Sequence, residues 1–364
     1  MMEVTESSEK LFAGKKELRR GLSTGTYAAA CAKAAALFLL GERREKVKVW
    51  LPCGQEREVA ATVRLSGGYA EALAVKDAGD DPDVTNGIEI GARVWLRKGE
   101  QRIFIRGGEG VGVATKPGLR VKVGEWAINP VPRRQIEVNL KEVLPSGFSA
   151  EVEVFVPRGR EVAKHTYNPI LGIEGGISIL GTTGLVLPMS HQAFQETVYL
   201  HLKQCFLLGR KKICLVPGNY GYAKALELGF AKEETVKISS LVGFALETCA
   251  EFGAERVFLV GQVGKMVKIA GGIFDTHHLV ADARREILFA HLVRAGLPVP
   301  FWNKVWKART AEEVALHIAS WEGAAEFWRY LAREISHRAE ERVQRAFRVE
   351  SIVFSLHLGV LGRG

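Results

Sequence analysis

Lys212-Ile213-Cys214-Leu215-Val216-Pro217-Gly218-Asn219-Tyr220-Gly221 is the stretch on which the fold reading turns. A short apolar run ends abruptly at Pro-Gly, which cannot continue a strand ladder, and a helical pattern follows from Tyr222 to Leu228. The same order returns at Val257-Phe258-Leu259-Val260, which runs into Gly261-Gln262-Val263-Gly264. A third apolar run lies inside Ser351 to Ser355. Strand, glycine turn and helix in repeated succession predict an α/β layer with a mostly parallel sheet.

Upstream the texture differs. Val47 to Leu51, Arg93 to Leu96, Ile103 to Ile105 and the alternating Glu151 to Val156 read as strands between glycine-dense turns. One alanine-rich helix, Tyr27 to Leu40, interrupts them, with Ser23, Thr24 and Thr26 as capping candidates and a stop at Gly41. The expected organisation is therefore an α+β domain over residues 1–189 and an α/β domain over 190–364. A chain of 364 residues exceeds what one core usually serves.

Composition narrows the function classes. Hydrophobic residues at 47% and charged residues at 25% exclude a disordered chain. The longest apolar run, Ala28 to Leu40, is broken by Lys33 and is too short for a membrane span. With no signal-peptide layout, a cytoplasmic location is expected. Five scattered cysteines without a C-x-x-C pair indicate reduced structural thiols rather than disulfides or zinc. A formal charge of +9 favours anionic partners. Arg284, Arg285, Arg309, Arg333, Arg338, Arg342, Arg345 and Arg348 alternate with glutamates, which reads as a solvated helical face rather than a nucleic-acid stripe. No nucleic-acid or membrane partner is expected, and a homo-oligomer remains open.

Four segments carry unusual local chemistry. Ser23-Thr24-Gly25-Thr26 opens the alanine helix, as an ordinary cap or as an anion seat. Lys76 to Gly87 holds four aspartates, which call for cations or protons unless they form a plain solvated turn. Its spacing fits no EF-hand loop. Arg106 to Gly112 matches neither nucleotide fingerprint, so its glycines imply close backbone approach to a ligand or to another strand. Gly175 to Gly184 reads as a short strand with a hydroxyl-bearing turn. In the second half, Gly218 and Gly221 sit where a first βα turn would touch a ligand. Val236-Lys237-Ile238-Ser239-Ser240 lacks the acidic residue that would grip a ribose. His277 and His278 beside Asp275 lack a third ligand at metal spacing, so no protein metal site is expected.

Taken together the segments resemble the cobalt-precorrin-5B C-1 methyltransferases, the CbiD family of anaerobic cobalamin synthesis. The likeness rests on Leu22 to Thr26, Lys76 to Thr85, Gly107 to Gly112, Ala127 to Arg133, Gly176 to Gly184, Pro217 to Gly221 and Lys265 to His277. Five positions depart from the family pattern: Tyr27 for cysteine, Ser240 for asparagine, Gln262 for histidine, Asp275 for asparagine and His278 for serine. The resemblance implies S-adenosylmethionine-dependent methylation of carbon 1 of a corrin, giving cobalt-precorrin-6A, with cobalt carried by the substrate only. Gly218, Asn219, Gly221 and Gly261 would line the S-adenosyl-L-methionine site, and Gly181, Thr182, Thr183 and Gly184 would close it. Thr24 and Thr26 would hold a corrin carboxylate. Asp77, Asp80, Lys265 and His277 are the catalytic candidates, the aspartates toward the sulfonium or a macrocycle proton, the other two toward substrate arms. A non-catalytic carrier of the corrin intermediate is the competing reading.

Overall fold

An alanine-rich segment that buries every side is a helix meant for an interior, not for a surface. In the computed structural model, which describes residues 12–13, 16–188 and 191–364, helix α1 (Thr24–Leu39) is buried from Thr24 to Leu37. Ser23 caps it, its Oγ accepting the Thr26 N–H at 3.2 Å. Gly41 ends it in the left-handed region at φ +91°, and the Glu42 N–H returns to the Leu37 carbonyl. The helix thus begins three residues before the expected Tyr27, because Thr24 and Thr26, two of the three cap candidates, already belong to its first turn. The chain divides into two units after His191.

In the first unit α1 covers one face of a five-stranded sheet. Its strands are β1 (Thr62–Ser66), β2 (Tyr69–Val75), β3 (Glu89–Lys98), β4 (Ile103–Gly107) and β5 (Phe148–Phe155), with helix α2 (Pro130–Lys141) preceding β5. The order is β1-β2-β3-β5-β4, antiparallel except for the parallel β5–β4 pair. Ala70, Ala72 and Ala74, Ile90, Ala92 and Val94, and Ala150, Val152 and Val154 all bury their side chains on the α1 face. Small alanines let the helix sit close to the sheet.

The opposite face carries a row of charges in register. Arg64 pairs across the ladder with Glu71, Glu71 with Arg93, Arg93 with Glu153, and Glu153 with Arg106. Arg93 Nε donates to Glu71 at 2.7 Å and its Nη1 to Glu153 at 2.8 Å. Opposite charges directly across strands stabilise one register, and a one-residue slip would turn them toward the alanine face. Against the upward pull of burial, hydrogen bonds from Arg93 and Arg64 hold the Glu71 carboxyl below its usual range.

The expected strand within Gly175 to Gly184 forms no ladder. Ile177 and Ile179 make isolated bridges to Val111 and Ile128, and the chain then turns. Arg106 to Gly112 resolves toward the strand alternative. A Cβ on Gly110 would meet the Val156 carbonyl oxygen at 1.9 Å, so that glycine serves backbone contact.

The second unit is built on β6 (Lys212–Val216), β7 (Thr235–Lys237), β8 (Arg256–Gln262), β9 (Arg348–Ser355) and β10 (Gly359–Arg363), in the order β7-β6-β8-β9-β10. The first three pairings are parallel, and β10, which the sequence reading did not anticipate, closes the edge antiparallel to β9. Helix α3 (His191–Leu207) precedes the sheet, and α4 (Asn219–Glu227) and α5 (Val242–Glu251) connect its first strands. Helix α6 (Val263–Ala270) follows β8, then α7 (Arg284–Arg294), α8 (Val299–Lys307), α9 (Ala311–Ile318) and α10 (Ala324–Arg342). Strand alternation feeds both faces. Ile213 and Leu215 join the core with Leu246, Val267 and Leu331, while Cys214 and Val216 face Ala225 of α4.

Several of the late basic residues pair with glutamates. Arg333 pairs with Glu326, Arg338 with Glu334, and Arg342 with Glu247. Of the five free cysteines, Cys31, Cys205, Cys214 and Cys249 are buried and Cys53 is exposed. Burial pushes the Cys214 thiol up to about 12. Among the described residues no helix is long and apolar enough to cross a membrane.

Candidate active site

In the first unit, three segments distant in sequence meet at the start of α1. The Leu22 N–H donates to the Asp77 carbonyl, the Ser23 N–H to the Gly184 carbonyl, and the Gly25 N–H to the Leu180 carbonyl. Thr24, Thr26, Asp77, Asp80 and Gly181 to Gly184, picked from sequence as separate candidates, therefore share one region. The threonine hydroxyls are nevertheless engaged. Thr24 Oγ1 accepts the Leu180 N–H at 2.9 Å, and Thr26 Oγ1 donates to the Gly184 carbonyl at 2.8 Å. Both residues are buried, so the hydroxyls hold the 180–184 turn in place. Gly181 lies against Ser23 with no room for a side chain, whereas Thr182 and Thr183 are exposed.

Two of the loop's four aspartates, Asp77 and Asp83, pair with this chain's own cations. Asp77 takes both outer nitrogens of Arg19, the Nη2 at 2.8 Å, and accepts the Gly79 N–H at 2.9 Å. These hydrogen bonds hold its carboxyl below the ordinary aspartate range. Among the described residues Asp80 accepts only the Arg19 backbone N–H, at 2.9 Å, and is exposed. Asp83 accepts the Lys76 ammonium at 2.8 Å, together with the Thr85 N–H and hydroxyl. The Lys76 side chain is only 1% exposed. Tyr27 is part of the same assembly, its hydroxyl accepting the Asp77 N–H at 2.9 Å. Arg19 and Tyr27 are structural neighbours to which the sequence reading gives no role, although Tyr27 is marked there as a departure from the family's cysteine.

A concavity of about 1050 Å³ also opens along α1, with Tyr27, Ala34 and Phe38 on its wall. Its charged lining is mixed, Arg43 and Arg44 with Glu45, Glu58 and Glu89, which offers a polycarboxylate no net attraction.

In the second unit the candidates meet at the carboxyl ends of the parallel strands. The chain leaves β6 for β7 on one side, then returns across β6 to β8 on the other. That reversal marks the topological switch point, and ligands of open parallel sheets bind in the crevice outside the strand ends there. Gly218, at φ +108°, ends the β6 turn and caps α4. Gly261 and Gln262 end β8, and Gln262 caps α6. Neither helix start has a side-chain cap among the described residues.

Lys265 belongs to this cluster. Its Nζ lies 3.4 Å from where a Cβ on Gly218 would stand and 3.4 Å from the Ser239 carbonyl oxygen. Burial, with the nearby charge of Lys268, lowers its pKa. Asn219 Oδ1 accepts Lys237 Nζ at 3.2 Å, and Gly221 packs α4 against the Val260 carbonyl. His277 is exposed on the loop after α6, which is tied to the β7 end by the Thr276 N–H and the Ser240 carbonyl. Its ring stacks on His278 at 4.6 Å. Among the described residues no three His, Cys, Asp or Glu side chains group to hold a metal.

Two more side chains in this unit escaped the sequence reading. Buried Lys268 donates to the Thr276 and Ala281 carbonyls at 3.0 and 2.6 Å, fixing the histidine loop. Glu312, at the start of α9, receives the Gln262 amide and the Ser355 hydroxyl. No spacing in the sequence announces a partner 50 residues away.

Residues 12–188 match the family model described as CbiD, and residues 275–364 match the CbiD C-terminal domain. The curated cobalt-precorrin-5B C(1)-methyltransferase of Moorella thermoacetica is 43% identical over 350 residues, covering 96% of this chain and 95% of its own. The protein of that name from Thermosipho africanus is also 43% identical, covering 96% and 98%. A crystal structure of the cobalamin biosynthesis protein cbiD from Archaeoglobus fulgidus is 34% identical, covers 75% of this chain and 86% of its own, and has a TM-score of 0.40. With relatives this similar over nearly its whole length, the chain belongs to the CbiD family.

Proposed function

We propose that this protein methylates carbon 1 of cobalt-precorrin-5B, with S-adenosyl-L-methionine as methyl donor, giving cobalt-precorrin-6A. The observation that carries the reading is the near full-length likeness to relatives bearing that enzyme name. The crevice beyond β6 and β8 supports it. A glycine held at φ +108° beside the Lys265 ammonium, with two helix starts that lack side-chain caps, suits a ligand with a carboxylate.

S-adenosyl-L-methionine supplies an electrophilic methyl group on a sulfonium when bound, so the protein needs no nucleophile of its own. What its residues contribute is binding, orientation and exclusion of water. Gly218, Asn219, Gly221 and Gly261 line the donor's crevice in this reading, and Lys265 faces its carboxylate. Lysine partly withdrawn from water attracts an anion more strongly than an exposed one does. His277 stands ready for a corrin arm. In the first unit Thr182 and Thr183 are the exposed candidates for ligand contact, and Thr24 and Thr26 shape their turn. Of the two aspartates, Asp80 keeps more of its carboxylate free for a proton of the macrocycle. Asp77, already bound to Arg19, stays ionised and fixes the acidic loop within the first unit. Cobalt enters only with the substrate.

Calorimetric titration with S-adenosylmethionine and S-adenosylhomocysteine, with and without a cobalt corrin precursor, tests this. Saturable binding strengthened by the corrin is expected. Corrin binding without any nucleoside binding, even with both present, would favour the carrier reading.

A further inference from the structure

Glu312 receives three donors from the ends of two adjacent strands. Its Oε1 accepts the Gln262 amide at 2.8 Å and the Leu356 N–H at 3.1 Å, and its Oε2 accepts the Ser355 hydroxyl at 2.5 Å. Ser355 Oγ in turn accepts the His357 and Leu358 N–H groups at 3.1 Å each. A carboxylate can only accept, so it dictates which way the Gln262 carboxamide faces, with nitrogen toward Glu312 and oxygen away. That oxygen accepts no hydrogen bond from the described residues, although Gln262 ends β8 at the switch-point crevice. The other wall of the crevice offers no carboxylate, since β7 runs into Ile238, Ser239 and Ser240.

We infer that Glu312 is a positioning residue that presents the Gln262 carboxamide oxygen as the acceptor for a ribose hydroxyl of the methyl donor. This rests on the reading that the crevice binds S-adenosylmethionine. In open parallel sheets a side chain at a strand end commonly takes the ribose hydroxyls, and here the neutral amide at the end of β8 fills that place. Glu312 lies outside the ligand and acts through Gln262.

The test is a double-mutant cycle on S-adenosylhomocysteine affinity, measured by calorimetry with thermal unfolding as the folding check. Glu312→Gln keeps the shape and the Ser355 hydrogen bond, but an amide facing an amide no longer dictates orientation. One hydrogen bond's worth of affinity, about three- to tenfold, should be lost in Glu312→Gln and again in Gln262→Leu. The double variant should be no weaker than Gln262→Leu alone. Adenosine, used as a competitor, should lose the same factor in Gln262→Leu. If Glu312→Gln weakens binding equally in both backgrounds, or not at all, the positioning role is wrong. Ser355→Ala separates a purely structural brace, since it should lower the melting temperature and leave affinity intact. Should Ser355→Ala weaken binding as much as Glu312→Gln does, Glu312 is only a brace. Absence of binding in the unaltered protein would instead remove the donor-site reading, and this inference with it.

Discussion

Asp83→Ala should destabilise the first unit out of proportion to the size of the change. Lys76 is buried with its side chain 1% exposed, and Asp83 is the one hydrogen-bond partner of its ammonium among the described residues. Removing one partner of a buried pair costs about 3–5 kcal/mol, because the remaining charge is left without compensation. Asp83 itself is 27% exposed, so water can reach the vacated place, which argues for the lower end, about 3 kcal/mol. For a unit of this size that is a fall in melting temperature of roughly 6–12 °C. In a Lys76→Met background the same substitution removes only the Thr85 hydrogen bonds and should cost about 1 kcal/mol. The pH dependence has a definite sign. Against the effect of burial, Lys76 holds the Asp83 carboxyl below its ordinary value, so its contribution is present above the unfolded pKa of about 3.9 and fades as pH falls through the lower folded value. The gap between the native protein and Asp83→Ala should therefore close in acid. Differential scanning calorimetry of the four proteins across pH measures this. Equal losses in both backgrounds would show that Lys76 does not depend on Asp83, and the account of the acidic loop would fail.

Other outcomes follow from the same geometry. Arg19→Ala should raise the Asp77 carboxyl toward its ordinary range, seen as an upward-shifted carbon-13 titration; an unmoved titration would mean that the Arg19 fork does not set it. Gly218→Val should abolish S-adenosylhomocysteine binding, since a β-branched residue is strained at a φ of +108°, and unchanged affinity would move the donor site elsewhere. In the native protein an aromatic disulfide reagent should modify Cys53 quickly and the other four thiols only on unfolding. Fast modification of two or more would contradict their burial.

How much of this could be read from sequence depended on whether the governing interaction is local. The β6, β8 and β9 runs and the glycine turns after β6 and β8 announce themselves through adjacent residues, and the structure places them as expected. The boundaries of α1 and α4 moved toward the N-terminus, because a cap and a helix start share the same small residues. Edge strand β10 carries no periodic signal, with Gly359, Val360, Leu361 and Gly362 in succession, and is fixed by pairing to β9. The cluster at the start of α1 was legible as residue types but not as a cluster. Its closure depends on Gly184 meeting Thr26 across 158 positions, and that same contact engages the Thr26 hydroxyl that was read as a ligand contact. Charge pairing was likewise invisible, since Asp77 and Asp83 read as two more solvated acids until Arg19 and Lys76 are seen to answer them.

The most direct test of the central claim is a single-turnover reaction of the full chain with cobalt-precorrin-5B and S-adenosylmethionine bearing a carbon-13 methyl group. The account predicts one labelled methyl on carbon 1 of the corrin in the carbon-13 spectrum, with an equal amount of S-adenosylhomocysteine. Tight corrin binding with no label transferred would contradict it and leave a carrier of the intermediate.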